Sequence, residues 1–521
     1  MKTGRVPRRL LHDALLEHGA DPARARRTAV VAEGREYSYG ELLAAASRLA
    51  AGLRQRGVGR GDRVAIYMDN TWPCVVAIFA TLLAGGVFLV VNPLTKSDKL
   101  GFILDDSGAR VLLSDGHIAQ EFTPLLAARP GLHVIASGRL PMGPAIEAFD
   151  AVLAAGEPLG EPPATIALDL AALIYTSGST GQPKGVMQTH QSMLFAAGSL
   201  IQYLRLAASD RILCTLPLAF DYGLYQWLMA VQLGAVLVLE RSFAFPAQVF
   251  ARMQALGVTV FPGVPTVFAM LLSAHRREPL CFTGVTRVTN TAAALPDEQA
   301  LRLREIFPNA LIYKMYGLTE CKRVSYLEPE LLEAKPGSVG KAIPGTEVYL
   351  RSPAGEPVPP GEPGILHVRG PHVMAGYWNQ PELSARMLRP GLLPGERVLC
   401  TQDWFRMDAQ GFLYFVGRTD DIIKTRGEKV SPVEVENVLH AIDGIREAAV
   451  VGVPDQLLGE AIRAYVVLEP GAALDVGRIR AQCMKRLESF MVPQQIVPCA
   501  ELPRTATGKV SRKALLEHPP A

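Results

Sequence analysis

The densest concentration of chemistry in the chain is the run from Leu173 to His190, LIYTSGSTGQPKGVMQTH. Gly178, Gly181 and Gly185 let backbone N–H groups approach an anion, Thr176, Ser177, Ser179 and Thr180 add hydroxyl donors, and Lys184 adds a mobile positive charge. Together they can cradle phosphate. The pattern is not the P-loop of NTPases, which needs Ser or Thr directly after the lysine, where Gly185 stands. Ala171 to Tyr175 reads as a buried strand and Gln191 to Leu204 as an amphipathic helix, so a strand-to-helix turn is expected between them. A flexible Gly/Ser linker is the bland alternative, and those flanks argue against it.

Such a loop needs a scaffold and partners. Ser38-Tyr-Gly-Glu41 is a capping box that opens a helix ending near Gly57, before the strand Arg63 to Tyr67. Helix then alternates with strand through Val87 to Val91, Asp98 to Leu104 and Arg110 to Ser114. After the loop, strands are expected at Ile212 to Leu216, Ala235 to Leu239, Val258 to Phe261, Thr286 to Thr289 and Leu311 to Met315. This is doubly wound α/β material, which binds ligands beyond the carboxyl ends of its strands. Asp221, Gly263, Asn290 and Tyr316-Gly-Leu-Thr-Glu320 therefore become site candidates at one sheet edge. From Gly337 to Val416 short alternating runs with Pro and Gly turns indicate an antiparallel β subdomain. Beyond it lies a compact α+β pattern: helix Pro432 to Ala441, strands Glu447 to Val453 and Arg463 to Leu468, helix Asp475 to Leu487, and a basic tail. The expected fold is thus α/β: a large domain, residues 1–419, of two doubly wound subdomains plus the β subdomain, and a small mobile α+β domain, residues 420–521.

At 521 residues more than one core is needed. A formal charge of +3 is small for this length and argues against a nucleic-acid surface. Seven cysteines without a C-x-x-C suit a reducing, cytoplasmic setting better than a disulfide framework or a zinc site. The N-terminus lacks the apolar core of a signal peptide. The apolar run Cys74 to Val91 is broken by Gly85-Gly86 and reads as a buried helix and strand rather than a membrane span.

The spelling Tyr-Thr-Ser-Gly-Ser-Thr-Gly-x-Pro-Lys-Gly resembles the phosphate loop of the AMP-forming adenylating superfamily: acyl-CoA synthetases, peptide-synthetase adenylation domains and luciferases. Later motifs match in order and spacing over nearly the whole chain. The resemblance implies activation of a carboxylate by ATP, with pyrophosphate released, and transfer of the acyl group from acyl-AMP to a pantetheine thiol. It implies that Lys184 and its loop hold the β- and γ-phosphates, that the Tyr316 ring packs on adenine, that Thr319 touches the α-phosphate and that Glu320 ligates Mg²⁺. Asp403, in Thr-Gln-Asp-Trp-Phe-Arg, resembles the aspartate that accepts from both ribose hydroxyls, although Gln402 replaces the glycine usual before it. Arg418 matches the ribose/phosphate arginine, with a surface ion-pair partner as its alternative. Asp420 matches the hinge of the small domain. Lys509 matches the lysine that bridges substrate carboxylate, α-phosphate and ribose; a lone lysine in a polar tail would otherwise be read as solvated. Gly427 would leave room for pantetheine.

For the acid, Asp221 falls where amino-acid-activating domains place the carboxylate that pairs with the substrate ammonium, and a buried Asp needs such a partner. Phe220-Asp-Tyr-Gly-Leu224 also resembles a motif of acyl-CoA ligases that bind no amine. YGLTECKRVSYL, from Tyr316, resembles stand-alone enzymes that load L-proline onto a carrier protein, with Tyr222, Tyr225, Asn290, Met315 and Val324 forming the acyl pocket. L-proline and a separate phosphopantetheinyl carrier protein are the preferred substrate and partner. An acyl- or aryl-CoA ligase using coenzyme A is the alternative, and a non-catalytic nucleotide-binding protein of the same fold is the alternative from another class. Nucleic-acid and membrane partners are not expected.

Overall fold

The computed structural model describes residues 8–140, 146–157, 160, 163–177, 183–291, 295–418, 421, 423–425, 428–455, 458–487, 489–505 and 508–517. Gly178, Ser179, Thr180, Gly181, Asp420 and Gly427 lie outside them, as does the side chain of Ser177.

Three sheets organise the described residues. The first has parallel strands Leu170–Ser177, Val87–Val91, Arg63–Tyr67, Val111–Asp115 and His133–Ser137 at its centre. The β-branched, wholly buried texture of VFLVV is what a strand covered by helices on both faces requires. The membrane-like run resolves as expected. Its helix is Trp72–Leu83, with every residue from Cys74 to Leu83 buried, and no helix among the described residues is long and apolar enough to cross a membrane. The capping box is present: the Ser38 hydroxyl accepts from Glu41 N–H at the start of helix Tyr39–Gln55, and the Glu41 carboxylate accepts from Ser38 N–H.

The second sheet carries the later strands in parallel. Arg211–Cys214, Val236–Leu239, Val260–Gly263, Arg287–Asn290 and Leu311–Tyr316 match the expected set within two residues at each end. Gly263 aligns with Asn290, and Asn290 with Lys314, so these strands do end at one edge.

One expectation needs correction and two gain detail. The phosphate loop does not join a strand to a helix. Pro183–Thr189 is itself a strand, antiparallel to Leu170–Ser177 with Thr176 opposite Lys184, and helix His190–Tyr203 starts only after it. The segment KGVMQT looked like loop because its glycine and polar residues hide a half-buried alternation. Second, the antiparallel β subdomain is present as expected. Through Ser325–Leu327 and Ser338–Ala342 it continues the second sheet into a single fourteen-stranded one. Third, the basic tail holds regular structure: Gln495–Pro498 pairs in parallel with Gly459–Leu468, and Arg512–Glu517 is helical. The third sheet, built on the long hairpin Ile445–Asp455 with Gly459–Leu468, is packed by helices Pro432–His440 and Val476–Met484 around its own core.

Candidate active site

The turn after strand Leu311–Tyr316 carries the central acid. Glu320 is buried, and its Oε1 accepts from Lys184 Nζ at 3.1 Å and from the Tyr377 hydroxyl at 2.6 Å. Lys184 Nζ also donates to Tyr377 Oη at 3.0 Å and lies 4.3 Å from that ring's centroid. Burial opposes charge on Glu320, but Lys184 and the Tyr377 hydroxyl outweigh it and hold the carboxyl below its ordinary pKa. The group is therefore a carboxylate, paired with the lysine of the phosphate-loop hairpin across 136 residues of chain. Tyr377 was missed in the sequence; only its place in the short strand Gly376–Tyr377 on the phosphate-loop hairpin brings it here.

Thr319 lies in the same turn, its carbonyl accepting from Gln188 Nε2 at 2.9 Å, and Gln188 is fixed in turn by Ser192 Oγ at 2.8 Å. Gly317 has no room for a side chain: a Cβ would sit 2.3 Å from the Lys322 carbonyl. Thr176 Oγ1, at the end of the strand that enters the loop, is buried without a hydrogen-bond partner. That is a donor held ready beside Lys184.

Asp403 and Arg418 face each other on adjacent antiparallel strands, Arg397–Met407 and Leu413–Arg418. Arg418 Nε donates to Asp403 Oδ1 at 3.0 Å, and the Tyr316 hydroxyl donates to Oδ2 at 2.5 Å. Burial raises the Asp403 pKa and Arg418 opposes it. The backbone N–H of Asp403 is held by Thr401 Oγ1 at 3.1 Å. The ring of Tyr316 packs edge-on against Phe405, centroids 4.7 Å apart. Between Thr401 and Asp403, Gln402 has φ +62°. That left-handed backbone is why glycine suits the position, and a side chain there costs about 1–2 kcal/mol. Gln402→Gly is expected to leave the fold intact and shift unfolding free energy by no more than about 1 kcal/mol, in the stabilising direction, since relief of strain is partly offset by the freer unfolded chain. Urea denaturation checks it; a loss above that size would show that the Gln402 side chain is needed.

Asp221 opens helix Asp221–Leu233, and it has a partner in this chain. Lys322 Nζ lies 3.6 Å from Asp221 Oδ2, with the two side chains 3% and 12% exposed. The ammonium sits 4.5 Å from the Tyr225 ring centroid and 5.7 Å from that of Tyr222. Burial lowers the Lys322 pKa to about 7, Asp221 opposing and Arg323 assisting the fall. The expectation that Asp221 awaits a substrate ammonium is thereby corrected: Lys322 supplies that charge. Tyr222 is buried, its hydroxyl 2.7 Å from the Thr289 carbonyl, and Tyr203 donates to Met315 Sδ at 3.0 Å. Met315 and Val324 are buried in the same core, and Asn290, at its strand's end, has its buried Nδ2 unpartnered.

Lys509 completes the cluster. It stands at the end of a tight hairpin in which Arg504 pairs with Val510 and Thr505 N–H donates to the Lys509 carbonyl at 2.7 Å. Its side chain remains open to solvent, yet crowding by protein atoms and the nearby Arg418 lower its pKa, while Asp221, Asp403 and Glu320 pull the other way. A lysine from the C-terminal part of the chain thus lies within electrostatic reach of acids carried on and between strands of the second sheet. Arg512 anchors the tail behind it, with Asp421 at 3.2 Å and Glu436 at 2.8 Å.

Residues 16–378 match the AMP-binding enzyme family, and residues 434–509 match the C-terminal domain of AMP-binding enzymes. The chain belongs to the AMP-binding enzyme family. Among AMP-binding enzymes it is 34% identical to a feruloyl-CoA synthase of Amycolatopsis sp over 94% of this chain and 97% of that one. It superposes on the crystal structures of a benzoate CoA ligase from Burkholderia xenovorans, with TM-score 0.87 and 30% identity over 97% of this chain and 99% of that one. An anthranilate CoA ligase in complex with anthranoyl-AMP matches with TM-score 0.90 and 27% identity, over 99% of this chain and 98% of that one. AMP-binding enzymes act with ATP and Mg²⁺. The residues here fit both. Glu320 is an ionised oxygen ligand of the kind a hard cation takes, Lys184 donates to it with Thr176 opposite that lysine in the hairpin, and Arg418 is a further donor on Asp403.

Proposed function

We propose that this protein is an acyl- or aryl-CoA ligase: it converts a small carboxylic acid and ATP to acyl-AMP and pyrophosphate, then transfers the acyl group to the thiol of coenzyme A. The observation that carries the reading is the pairing of Lys184 with Glu320 and of Arg418 with Asp403, with Lys509 within electrostatic reach of Glu320, Asp403 and Arg418, together with relatives that are CoA ligases matched over nearly their full length.

The chemistry asks little of a general base. A carboxylate with a pKa near 4 is already the nucleophile, so the protein's work is positioning and charge neutralisation at the phosphates. In this reading a triphosphate draws Lys184 away from Glu320 onto the β- and γ-oxygens, with Thr176 and the other hydroxyls and glycines of the loop around them. Glu320, released, would hold Mg²⁺, whose charge would neutralise phosphate when bound. Thr319 contacts the α-phosphate, Tyr316 packs on adenine, and Asp403, partly screened by Arg418, accepts the ribose hydroxyls. Lys509 bridges the acid's carboxylate and the α-phosphate, concentrating positive charge where the pentacovalent phosphorus gathers negative charge. The acyl group lies among Tyr222, Tyr225, Asn290, Met315 and Val324. The hinge at Asp420, between units 1–419 and 420–521, then swings Lys509 out and the segment around Gly427 in, which opens the path for pantetheine.

Loading of L-proline onto a carrier protein is the reading with less support, because Asp221 is already neutralised by Lys322. Acid-dependent exchange of pyrophosphate into ATP, run over aryl acids, short and long fatty acids and amino acids including proline, tests both. Exchange with aryl or acyl acids, followed by thioester formation with coenzyme A, is expected. If no acid supports exchange the ligase reading fails, and if proline alone does so with a carrier as acceptor, the carrier reading replaces it.

A further inference from the structure

The charges around Asp221 do not balance. Lys322 already pairs with that carboxylate at 3.6 Å, and the next residue in the chain is a second buried cation. Arg323 is 1% exposed, and a guanidinium stays protonated at any pH an enzyme meets. Its Nη1 donates to the Thr291 hydroxyl, and its Cζ lies 5.5 Å from the centroid of the Tyr222 ring. Among the described residues its Nε and Nη2 have no hydrogen-bond partner and no carboxylate is paired with it. Asn290, one residue before Thr291, likewise has a buried and unpartnered Nδ2.

A buried guanidinium whose polar company is the hydroxyls of Thr291 and Tyr203, with the Tyr222 ring and no carboxylate, is costly, because desolvation of the ion is barely compensated. Proteins keep such groups where a ligand completes them. The unpartnered atoms of Arg323 and Asn290 are all donors, so what completes them is an acceptor. Arg323 presents two adjacent N–H directions, Nε and Nη2, the fork that matches two oxygens of one oxyanion. The reacting carboxylate cannot be that oxyanion, since it must lie at the α-phosphate between Thr319 and Lys509.

We propose that the acid activated by this enzyme carries a second oxyanion, a carboxylate or sulfonate at the end remote from the reacting carboxylate, and that Arg323 receives it with Asn290 alongside. The proposal rests on the ligase reading above. Lys322 takes a supporting part: by neutralising Asp221 it removes the negative charge that would repel a dianionic acid.

The test is pyrophosphate exchange with matched pairs, hexanoate against adipate and benzoate against isophthalate, with 4-sulfobenzoate to separate sulfonate from carboxylate. The diacid or sulfonate is expected to exceed the monoacid in kcat/KM by at least about tenfold, since a site built of donors rejects the analogue that leaves them unpaired. Arg323→Met should lower the diacid by about 10²-fold and leave the monoacid equal or better, reversing the preference; Arg323→Lys should retain part of it. A wild-type enzyme that prefers the monoacid of every pair, or an Arg323→Met enzyme that loses both members equally, overturns the proposal while leaving the ligase reading intact. Silence with every acid overturns the ligase reading itself and this proposal with it. Should Arg323→Met fail to fold, as a thermal melt would show, the wild-type preference and Arg323→Lys decide the matter.

Discussion

Replacing Lys509 with alanine should reduce acid-dependent pyrophosphate exchange by about 10²- to 10³-fold, the range seen when one preorganised donor to a developing charge is removed. Thioester formation from preformed acyl-AMP and coenzyme A should change by less than about threefold. The asymmetry follows from where the residue stands. It is carried by the tight Arg504–Val510 hairpin near the end of the chain, within electrostatic reach of Asp221, Asp403 and Glu320, so in this pose it belongs to the adenylation step. Once acyl-AMP exists, the charge Lys509 neutralised has been dispersed, and the thiol step calls on other groups. Single-turnover measurement of each half-reaction separates the two. Equal losses in both would mean that Lys509 holds the hairpin together rather than the transition state.

The second large effect concerns stability. Lys322→Met leaves Asp221, whose side chain is 12% exposed, without its paired cation, and removing one partner of a buried pair costs about 3–5 kcal/mol. Asp221→Asn with Lys322→Met replaces both charges by neutral groups of similar size and should recover a large part of that loss, a coupling of about 1–3 kcal/mol in a double-mutant cycle. All four tryptophans, Trp72, Trp227, Trp378 and Trp404, lie in the larger part of the chain, so their fluorescence in urea follows the unit that contains the pair. If the single variant is no less stable than the double, the Asp221–Lys322 contact is incidental. The earlier idea that Asp221 selects an amino acid would predict instead a loss of substrate affinity with little change in stability.

How these residues were legible in the sequence differs case by case. Most of the parallel strands were read within two residues because a run such as VFLVV or VLVL admits few other uses, although Thr28–Ala32, His133–Ser137 and Ile146–Ala148 were not read; the common edge followed from the rule for open α/β sheets. Lys184, Glu320, Asp403 and Arg418 were found through motif spelling, and the structure brings them together in pairs. Gln402 was noticed as a departure, but its meaning needed φ, which a sequence does not carry. Tyr377, Lys322 and Arg323 escaped because their significance is relational. A lysine or arginine in a sequence defaults to solvent, and only the tertiary fold turns Lys322 and Arg323 inward behind a turn whose Lys322 itself adopts φ +61°. The hairpin at the phosphate loop was missed for a related reason: a strand paired with its predecessor across a glycine-rich turn need not show the apolar run that marks a buried central strand.

The continuity of the second sheet dictates an order of events during synthesis. The strand Thr28–Ala32 pairs with Val236–Leu239, about 200 residues later, whereas the parallel core of the first sheet needs little beyond Thr189. The first sheet can therefore close on the ribosome while the amino-terminal hairpin waits with an open edge for a partner not yet made. A chain arrested near residue 200 would hold a first sheet lacking only its Gly376–Tyr377 edge strand and one orphan hairpin, and closure of the long loop to Val236–Leu239 is an entropic delay that falls within the second sheet's assembly. For this protein the residues made first are among the last to find their place.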